Sequence, residues 1–316
     1  MKRRAAAVTA LFVAAAAMAG PAPAQVPKKK ADDIRVDVTV TAITIAVTVQ
    51  DKGENRYIND LAQKDFAVYE NNEKRTITYF KHDFEAPLSL AVLLDVSGSM
   101  AVQNKLEEAK VGLRSMVTNV LSPRDEVSLL IFADGEVEVA APFSTDRTVF
   151  LQELDKVQAY GQTALNDAVA VSPEFANRGR NEKRALLLVT DGVENDSQLS
   201  PGQALEIART VDVPIYTIGY KIPLSDQLLK SLKRGKAVTS AGIVETLSRF
   251  SRATGGKAFF VDRPGDMYAI LGGLKQEQSH QYILGYTSYK DESGQYRRIR
   301  VETSNRRFRV RTREGY

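Results

Sequence analysis

The 316-residue sequence has no cysteine and only two histidines. The missing cysteine excludes disulfides, thiol catalysis, cysteine-bound zinc and a lipid anchor on an N-terminal cysteine. A chain of this kind working outside the cytoplasm must be held by packing alone, or with help from a bound ion. His82 and His280 fall in two β-rich segments, away from the carboxylate motif described below, so they do not supply a Ser/His/Asp triad there. No GxxxxGK[ST] phosphate loop is present. Beyond its first residues the chain has no run long and apolar enough to cross a bilayer. Net charge is also scarce. Of 43 basic residues, Lys2, Arg3 and Arg4 lie in the first four positions, and without them 40 bases face 39 acids. A balance near +1 gives no global argument for nucleic acid or an anionic surface.

What is present begins with MKRRAAAVTALFVAAAAMAG, a basic start followed by a short, Ala-rich apolar stretch, with Ala22-Pro23-Ala24 offering a cleavage site before Gln25. This is the pattern of a secretory signal peptide over residues 1–24, and it predicts a secreted or periplasmic protein. The alternative, a membrane anchor, would need a longer apolar run.

Residues 25–31 read as a Pro- and Lys-bearing leader. From residue 34 the chain alternates, with Ile34, Val36, Val38 and Val40 on one parity and Ile43, Ile45, Val47 and Val49 on the other; the phase change predicts a bulge or bend near Thr41. Further strands are expected over 66–69 and 76–80, so residues 25–86 form the first part of a small, mostly antiparallel β domain. From 87 to 275 apolar strands alternate with amphipathic helices. Strands are expected at 88–94, 127–132, 136–140 (a short edge strand), 185–189, 215–219 and 258–261. Helices are expected at 104–121, 147–157, 164–177, 201–211, 243–253 and 267–274. This rhythm predicts an α/β fold with a doubly wound, mainly parallel sheet. Residues 221–240 read as a long, Lys-rich surface connection. From 276 the chain turns β again, with strands at 282–289, 296–303 and 308–313. Neither β segment can bury a good core alone, so the two are expected to pair into one β domain with the α/β domain inserted between them.

The sheet has two strands that end in carboxylates. The apolar run of PLSLAVLLDVSGSM stops at Asp95, and LLLVTDG stops at Asp191. Open α/β sheets place ligands beyond the carboxyl ends of their strands, so both acids belong to one rim. Ser97 and Ser99 follow Asp95, and alternate residues of an extended loop would face the same way, with Gly98 allowing a tight turn. Thr163, in GQTAL, is expected to cap a helix with its hydroxyl near the same rim. Hydroxyls and carboxylates are hard oxygen donors, suited to Mg²⁺, Ca²⁺ or Mn²⁺ rather than zinc.

Asp95, Ser97, Ser99, Thr163 and Asp191 together resemble the metal-ion-dependent adhesion site of von Willebrand factor type A domains: D-x-S-x-S, a distant Thr and a distant Asp. The likeness spans residues 87–275. The flanks are similar to those of bacterial secreted proteins related to these domains, through the stretch at Asp65–Glu70, the stretch at Tyr282–Tyr286 and the ending Arg313-Glu314-Gly315-Tyr316. The resemblance implies a divalent cation, Mg²⁺ first, whose shell is completed by an Asp or Glu of a partner protein. It implies no catalytic residue, no nucleic-acid partner and no stable membrane insertion once the signal is removed. Family members can couple ligation to a shift of the C-terminal helix, here 267–274.

Two other readings compete. Asp95 could be the nucleophile of a phosphatase, but such enzymes want a second Asp where Ser97 stands. The ion could merely stabilise an envelope scaffold. Asp167 could support the metal from behind, though a solvated helix position is the simpler expectation, and Asp134 and Asp196 could touch a partner. The eight arginines after Gln295 are expected to line an outward, solvated strand face.

Overall fold

The computed structural model describes residues 39–54, 56–82, 86–222, 240–290 and 295–316. The expected signal peptide and leader, the alternating residues 34–38, most of the 221–240 connection and the turn at Glu292-Ser293-Gly294 lie outside them. Val38–Tyr316 is one compact unit.

The first strands are β1 (Thr39–Asp51), β2 (Phe66–Glu70), β3 (Glu73–Arg75) and β4 (Ile77–His82). The inward residues of β1 are the predicted parity, Ile43, Ile45, Val47 and Val49, all buried. The predicted bulge at Thr41 is not there: pairing runs without a shift from Thr39↔Lys290 to Thr48↔Gln281. The irregularity sits instead between Gly285 and Tyr286, on the pairing with β4.

The α/β part follows. Its strands are β5 (Leu88–Asp95), β6 (Glu126–Ala133), β7 (Glu136–Ser144), β8 (Lys183–Thr190), β9 (Ile215–Tyr220) and β10 (Ala258–Val261). Its helices are α1 (Gly98–Ala101), α2 (Lys105–Asn119), α3 (Arg147–Lys156), α4 (Leu165–Ala176), α5 (Pro201–Ala208), α6 (Ser240–Thr254) and α7 (Pro264–Ser279). The sheet order is β10-β9-β8-β5-β6-β7. All pairs are parallel except β6 with the edge strand β7. Every residue of β5 is buried, because its two faces enter two different cores. Leu88, Leu90, Val92 and Leu94 pack with α2, α3 and α7, while Ala91 and Leu93 pack with α4, α5 and α6. A continuous apolar run is what such a doubly covered strand requires. The order of connection reverses between β5 and β8, and this switch point is where an open α/β sheet leaves a crevice.

β11 (Gln281–Lys290) starts one residue after α7, and β12 (Ile299–Thr303) and β13 (Phe308–Arg311) complete the chain. β11 pairs with β1 and β4, β13 with β1, and β12 with β2, all antiparallel. The two sheets, β13-β1-β11-β4 and β12-β2-β3, share one apolar core around Tyr282, Leu284 and Tyr286. The doubly wound sheet is therefore inserted within an all-β frame made from both ends of the described chain. The expectation of an outward arginine face fails at three positions: Arg297 is largely covered, 3.7 Å from the buried Glu70. Arg313 is buried and pairs with Asp212 at 3.3 Å, and Arg311 pairs with the buried Glu277 of α7. Both side chains lie where the frame meets the α/β part, so burial with an acid replaces solvation.

Candidate functional site

β5 ends at Asp95 and β8 ends one residue before Asp191, and Leu94 lies opposite Val189 in the parallel register. The two carboxylates thus leave adjacent strands at the same rim, and both are fully buried. Asp95 Oδ1 accepts from the Ser97 amide at 2.9 Å, and Oδ2 accepts from the Thr190 hydroxyl at 2.6 Å. Asp191 Oδ1 accepts from the Val193 amide at 3.0 Å and from Ser99 Oγ at 3.1 Å. Gly192 follows at φ 72, a conformation that brings the Val193 amide back onto Asp191 and that a residue with a Cβ rarely adopts.

Ser97 and Ser99 do not lie in an extended loop. Ser97 is the residue before α1, and Ser99 lies within that helix. Their hydroxyls still converge, at 3.1 Å from each other. A continuous string of oxygens, Ser97, Ser99 and Asp191, therefore lies beside Asp95. Ser97 is buried and Ser99 half-buried, so Ser99 is the donor nearest solvent.

Thr163 sits on the loop that joins the other two. The Gly98 amide donates to Gly161 O at 3.0 Å, and the Tyr160 amide to Val96 O at 2.7 Å. On the far side, the Asn195 and Asp196 amides donate to Thr163 O at 3.1 and 3.0 Å, while the Thr163 amide donates to Asn195 Oδ1 at 2.8 Å. Thr163 is not the helix cap that was expected. α4 begins two residues later, with Ala164 at the capping position, because the Thr163 backbone is committed to the Asn195 loop. Its hydroxyl is left buried with no partner. Buried hydroxyls are nearly always satisfied, so an unpaired one at a loop junction is open to a water, an ion or another ligand.

The rim acids have definite tasks. Asp134 Oδ1 accepts from the Gln162 amide at 2.6 Å, and its carboxylate occupies the space where a Cβ on Gly161 (φ 68) would lie. Asp167 is not a solvated helix carboxylate: it accepts from the amides of Gln198 and Leu199, each at 2.9 Å, and so fixes the loop after Asp191. Asp196 is exposed. His82 and His280 stack on Tyr282 and Tyr57, in the β frame and its junction.

Sequence reasoning missed Thr190, Glu194, Asn195 and Lys105. Thr190 was readable in principle, since it is the last residue of the apolar strand that leads into Asp191, and its hydroxyl donates to Asp95. Glu194 accepts from the amides of Asp196 and Ser197 and holds the same loop. Lys105 is the largest omission. Its ammonium lies 2.7 Å from Asp191 Oδ2, and its side chain is 5% exposed.

The electrostatics follow from this packing. Burial pushes the Asp95 carboxyl well above the ordinary carboxylate range, and the negative charge of Asp191 beside it pushes further in the same direction. Two buried carboxylates side by side and three hydroxyls, one of them the orphaned Thr163 oxygen, form a hard-donor set. Among the described residues no three His, Cys, Asp or Glu side chains gather as a metal cluster. The donor set is of the other kind, poor in charge and rich in hydroxyls, and its residues fit a hard divalent cation.

A family match agrees with the doubly wound part of this architecture. Residues 90–194 match the family described as von Willebrand factor type A domain. An uncharacterized protein of Borreliella burgdorferi is 27% identical over 219 residues, 65% of this chain and 63% of its own length. The Magnesium-chelatase 67 kDa subunit of Chlorobaculum parvum is 28% identical over 158 residues, 46% of this chain and 25% of its own. This chain thus spans less than two thirds of either relative. Among solved structures, a von Willebrand factor type A protein from Catenulispora acidiphila is 11% identical, covers 76% of this chain and 70% of its own, and has a TM-score of 0.49. The vWF domain of the type V pili tip protein Mfa5 from Porphyromonas gingivalis is 11% identical, with 60% and 94% covered and a TM-score of 0.47. Residues 90–194, within the doubly wound part of this chain, are a von Willebrand factor type A domain by this family match.

Proposed function

We propose that this chain is a divalent-cation-dependent protein-binding module that works outside the cytoplasm. Asp95, Ser97, Ser99, Thr163 and Asp191 would hold the ion, with Mg²⁺ the first choice and Ca²⁺ or Mn²⁺ alternatives. The observation that carries the reading is the buried Asp95–Asp191 pair at the switch point with an unpartnered Thr163 hydroxyl on the loop that links them. When bound, the ion supplies a Lewis-acidic position that an Asp or Glu of a partner protein can fill. The residues of this chain do the rest. Thr190 and the Ser97 amide orient Asp95, the Val193 amide orients Asp191, and Asp134 and Asn195 fix the Thr163 loop.

The reading is non-enzymatic. Asp95 is fully buried and both its oxygens are engaged, which suits a ligand-holding group better than a nucleophile. Extracytoplasmic location rests on the signal-like first 24 residues; among the described residues no helix is long and apolar enough to cross a membrane. Movement of α7, which leads directly into β11, would carry ligation into the β frame.

The test is a pair of measurements on the wild type and Asp95→Ala. Mg²⁺ should raise the melting temperature of the wild type over EDTA and leave the variant unmoved. Retention of a native-envelope partner should then require both Mg²⁺ and Asp95. Retention that ignores chelator and substitution alike rejects the adhesion reading in favour of a scaffold, and turnover of a phosphate ester would reject the non-enzymatic one.

A further inference from the structure

Lys105 stands in a position that three independent preferences oppose. Its ammonium is buried, with a side chain 5% exposed against the fully buried Asp191. Lysine is rarely buried unless paired. It is also the first residue of α2, where the partial positive charge of a helix N-terminus disfavours a cation. And the chain reaches it through two consecutive residues with a Cβ in the left-handed region, Gln103 at φ 55 and Asn104 at φ 59. Such backbone persists where the surroundings enforce it, and it clusters at functional sites.

The kink has a clear geometric result. It turns the first residue of α2 back toward the rim, so that Lys105 Nζ meets Asp191 Oδ2 at 2.7 Å and Ser99 O at 3.4 Å. The acids of the first helical turn are engaged elsewhere: Glu107 pairs with Lys110, and Glu108 with Lys221 and the Tyr220 hydroxyl. The Lys105 charge is therefore directed at the donor set and not spent on its own helix.

We propose that Lys105 is a built-in counter-cation of the ion site, which weakens divalent-ion binding and makes it depend on an incoming carboxylate. This inference rests on the ion-binding reading and deepens it. Two carboxylates and three neutral hydroxyls would just neutralise a divalent ion. With the ammonium beside Asp191, the loaded site carries one surplus positive charge in a buried setting. A partner's Asp or Glu removes that surplus, so ion and acidic ligand bind cooperatively, each strengthening the other by the same factor. Without Lys105 the ion is held tightly whether or not an acid is present. With it, the ion is held well only when the partner supplies the missing charge.

The experiment is calorimetric titration of the full chain with Mn²⁺, in chloride and in acetate at matched ionic strength. The proteins are the wild type, Lys105→Gln, Lys105→Met and Lys105→Arg. Gln keeps a donor for Asp191 without the charge, and circular dichroism checks the fold of each variant. Removing a cation from beside the ion in a poorly solvated site should tighten Mn²⁺ binding by about tenfold or more in the Gln and Met variants. The Arg variant, which keeps the charge, should stay close to the wild type. Acetate should strengthen Mn²⁺ binding to the wild type more than to the Gln variant.

Equal or weaker Mn²⁺ binding by a folded Lys105→Gln overturns the proposal and leaves the ion site standing. Absence of any acetate effect on the wild type, a readout that needs no variant, overturns the cooperative half. Mn²⁺ uptake by none of the four folded proteins removes the ion site itself, and this inference with it. Uptake by Lys105→Gln where the wild type binds too weakly to measure supports both.

Discussion

The central strands carry acids at both ends, and the two ends treat them in opposite ways. At the start of β5 and β6 lie Asp125 and Glu126, both buried. Asp125 accepts from the amides of Leu88 and Ser122 at 2.8 and 2.7 Å and from Lys275 Nζ at 2.7 and 2.6 Å. Glu126 accepts from Ser89 Oγ and the Arg180 amide, each at 2.6 Å, and pairs with the Arg180 guanidinium. At the far end, Asp95 and Asp191 face each other, one ammonium serves the pair, and the Thr163 hydroxyl has no partner. Burial opposes the charge of Asp125, yet Lys275 and the two amides hold its carboxyl below the ordinary range, whereas Asp95 is driven above it. Acids matched by counter-charge secure a fold; two buried carboxylates that share one ammonium, beside an unpartnered hydroxyl, mark a place where something else can bind. One sheet shows both cases, so each end is the control for the other.

The largest expected effect breaks the satisfied end. Asp125→Ala strips two amides and the Lys275 ammonium of their acceptor in a buried place, which should cost about 3 kcal/mol. Urea titration measures it, and Mg²⁺ should not restore the loss. The sign of its pH dependence is fixed. A carboxyl whose folded pKa lies below the unfolded value of 3.8 contributes stability that is present above that value and is lost as pH falls through the folded one. The gap between wild type and Asp125→Ala should be full at neutral pH and should close in acid below about pH 4. A gap that persists undiminished in acid would assign the effect to lost packing and not to the charge.

Asp95→Asn should move stability the other way. The amide keeps an acceptor for the Ser97 N–H and can donate to Thr190 Oγ1, while the repulsion from Asp191 disappears. In EDTA the variant should be more stable than the wild type by about 1 kcal/mol, and the stabilisation by Mg²⁺ should vanish. A loss in EDTA as large as that of Asp125→Ala would show that the two ends do not differ in kind.

How much of this was legible follows from the type of signal each feature leaves. The apolar runs 88–94 and 185–189 announced doubly covered parallel strands, and the carboxylates that end them announced the rim, because burial on both faces leaves few alternatives. The alternation from Ile43 to Val49 found the buried face of β1 for the same reason. Boundaries set by tertiary bonds were not legible. The short β3 has no apolar face, and α7 extends beyond the apolar stretch 267–274 at both ends. Thr163 looked like a cap, but its backbone is claimed by Asn195, a residue 32 positions later. Lys105 read as an ordinary residue of a charged helix. Its role depends on two left-handed residues that no composition rule places at Gln103, and on a partner 86 positions away. The arginines of the last strands alternated as a solvated face should, and it is the buried acids Glu277 and Glu70 and the exposed Asp212 opposite them that draw three of the arginines inward.

The smallest expected effect is the sharpest test of the unsatisfied end. Thr163→Val keeps the shape and β-branching of the side chain and exchanges one hydroxyl for a methyl. Elsewhere in the sheet such a change breaks a bond: Thr217 Oγ1, also fully buried, lies 3.1 Å from Ser251 Oγ, and Thr217→Val should destabilise by about 1 kcal/mol. The Thr163 hydroxyl makes no bond in the described structure, so its removal takes away only an unmet desolvation penalty. Thr163→Val should leave stability in EDTA within about 0.5 kcal/mol of the wild type, or raise it slightly. Its cost should appear only when Mg²⁺ is added, as a smaller rise in melting temperature than the wild type shows. A variant that melts lower in EDTA yet gains the full increment from Mg²⁺ would make the Thr163 hydroxyl a structural group, and the donor set would then end at the two serines and the two aspartates.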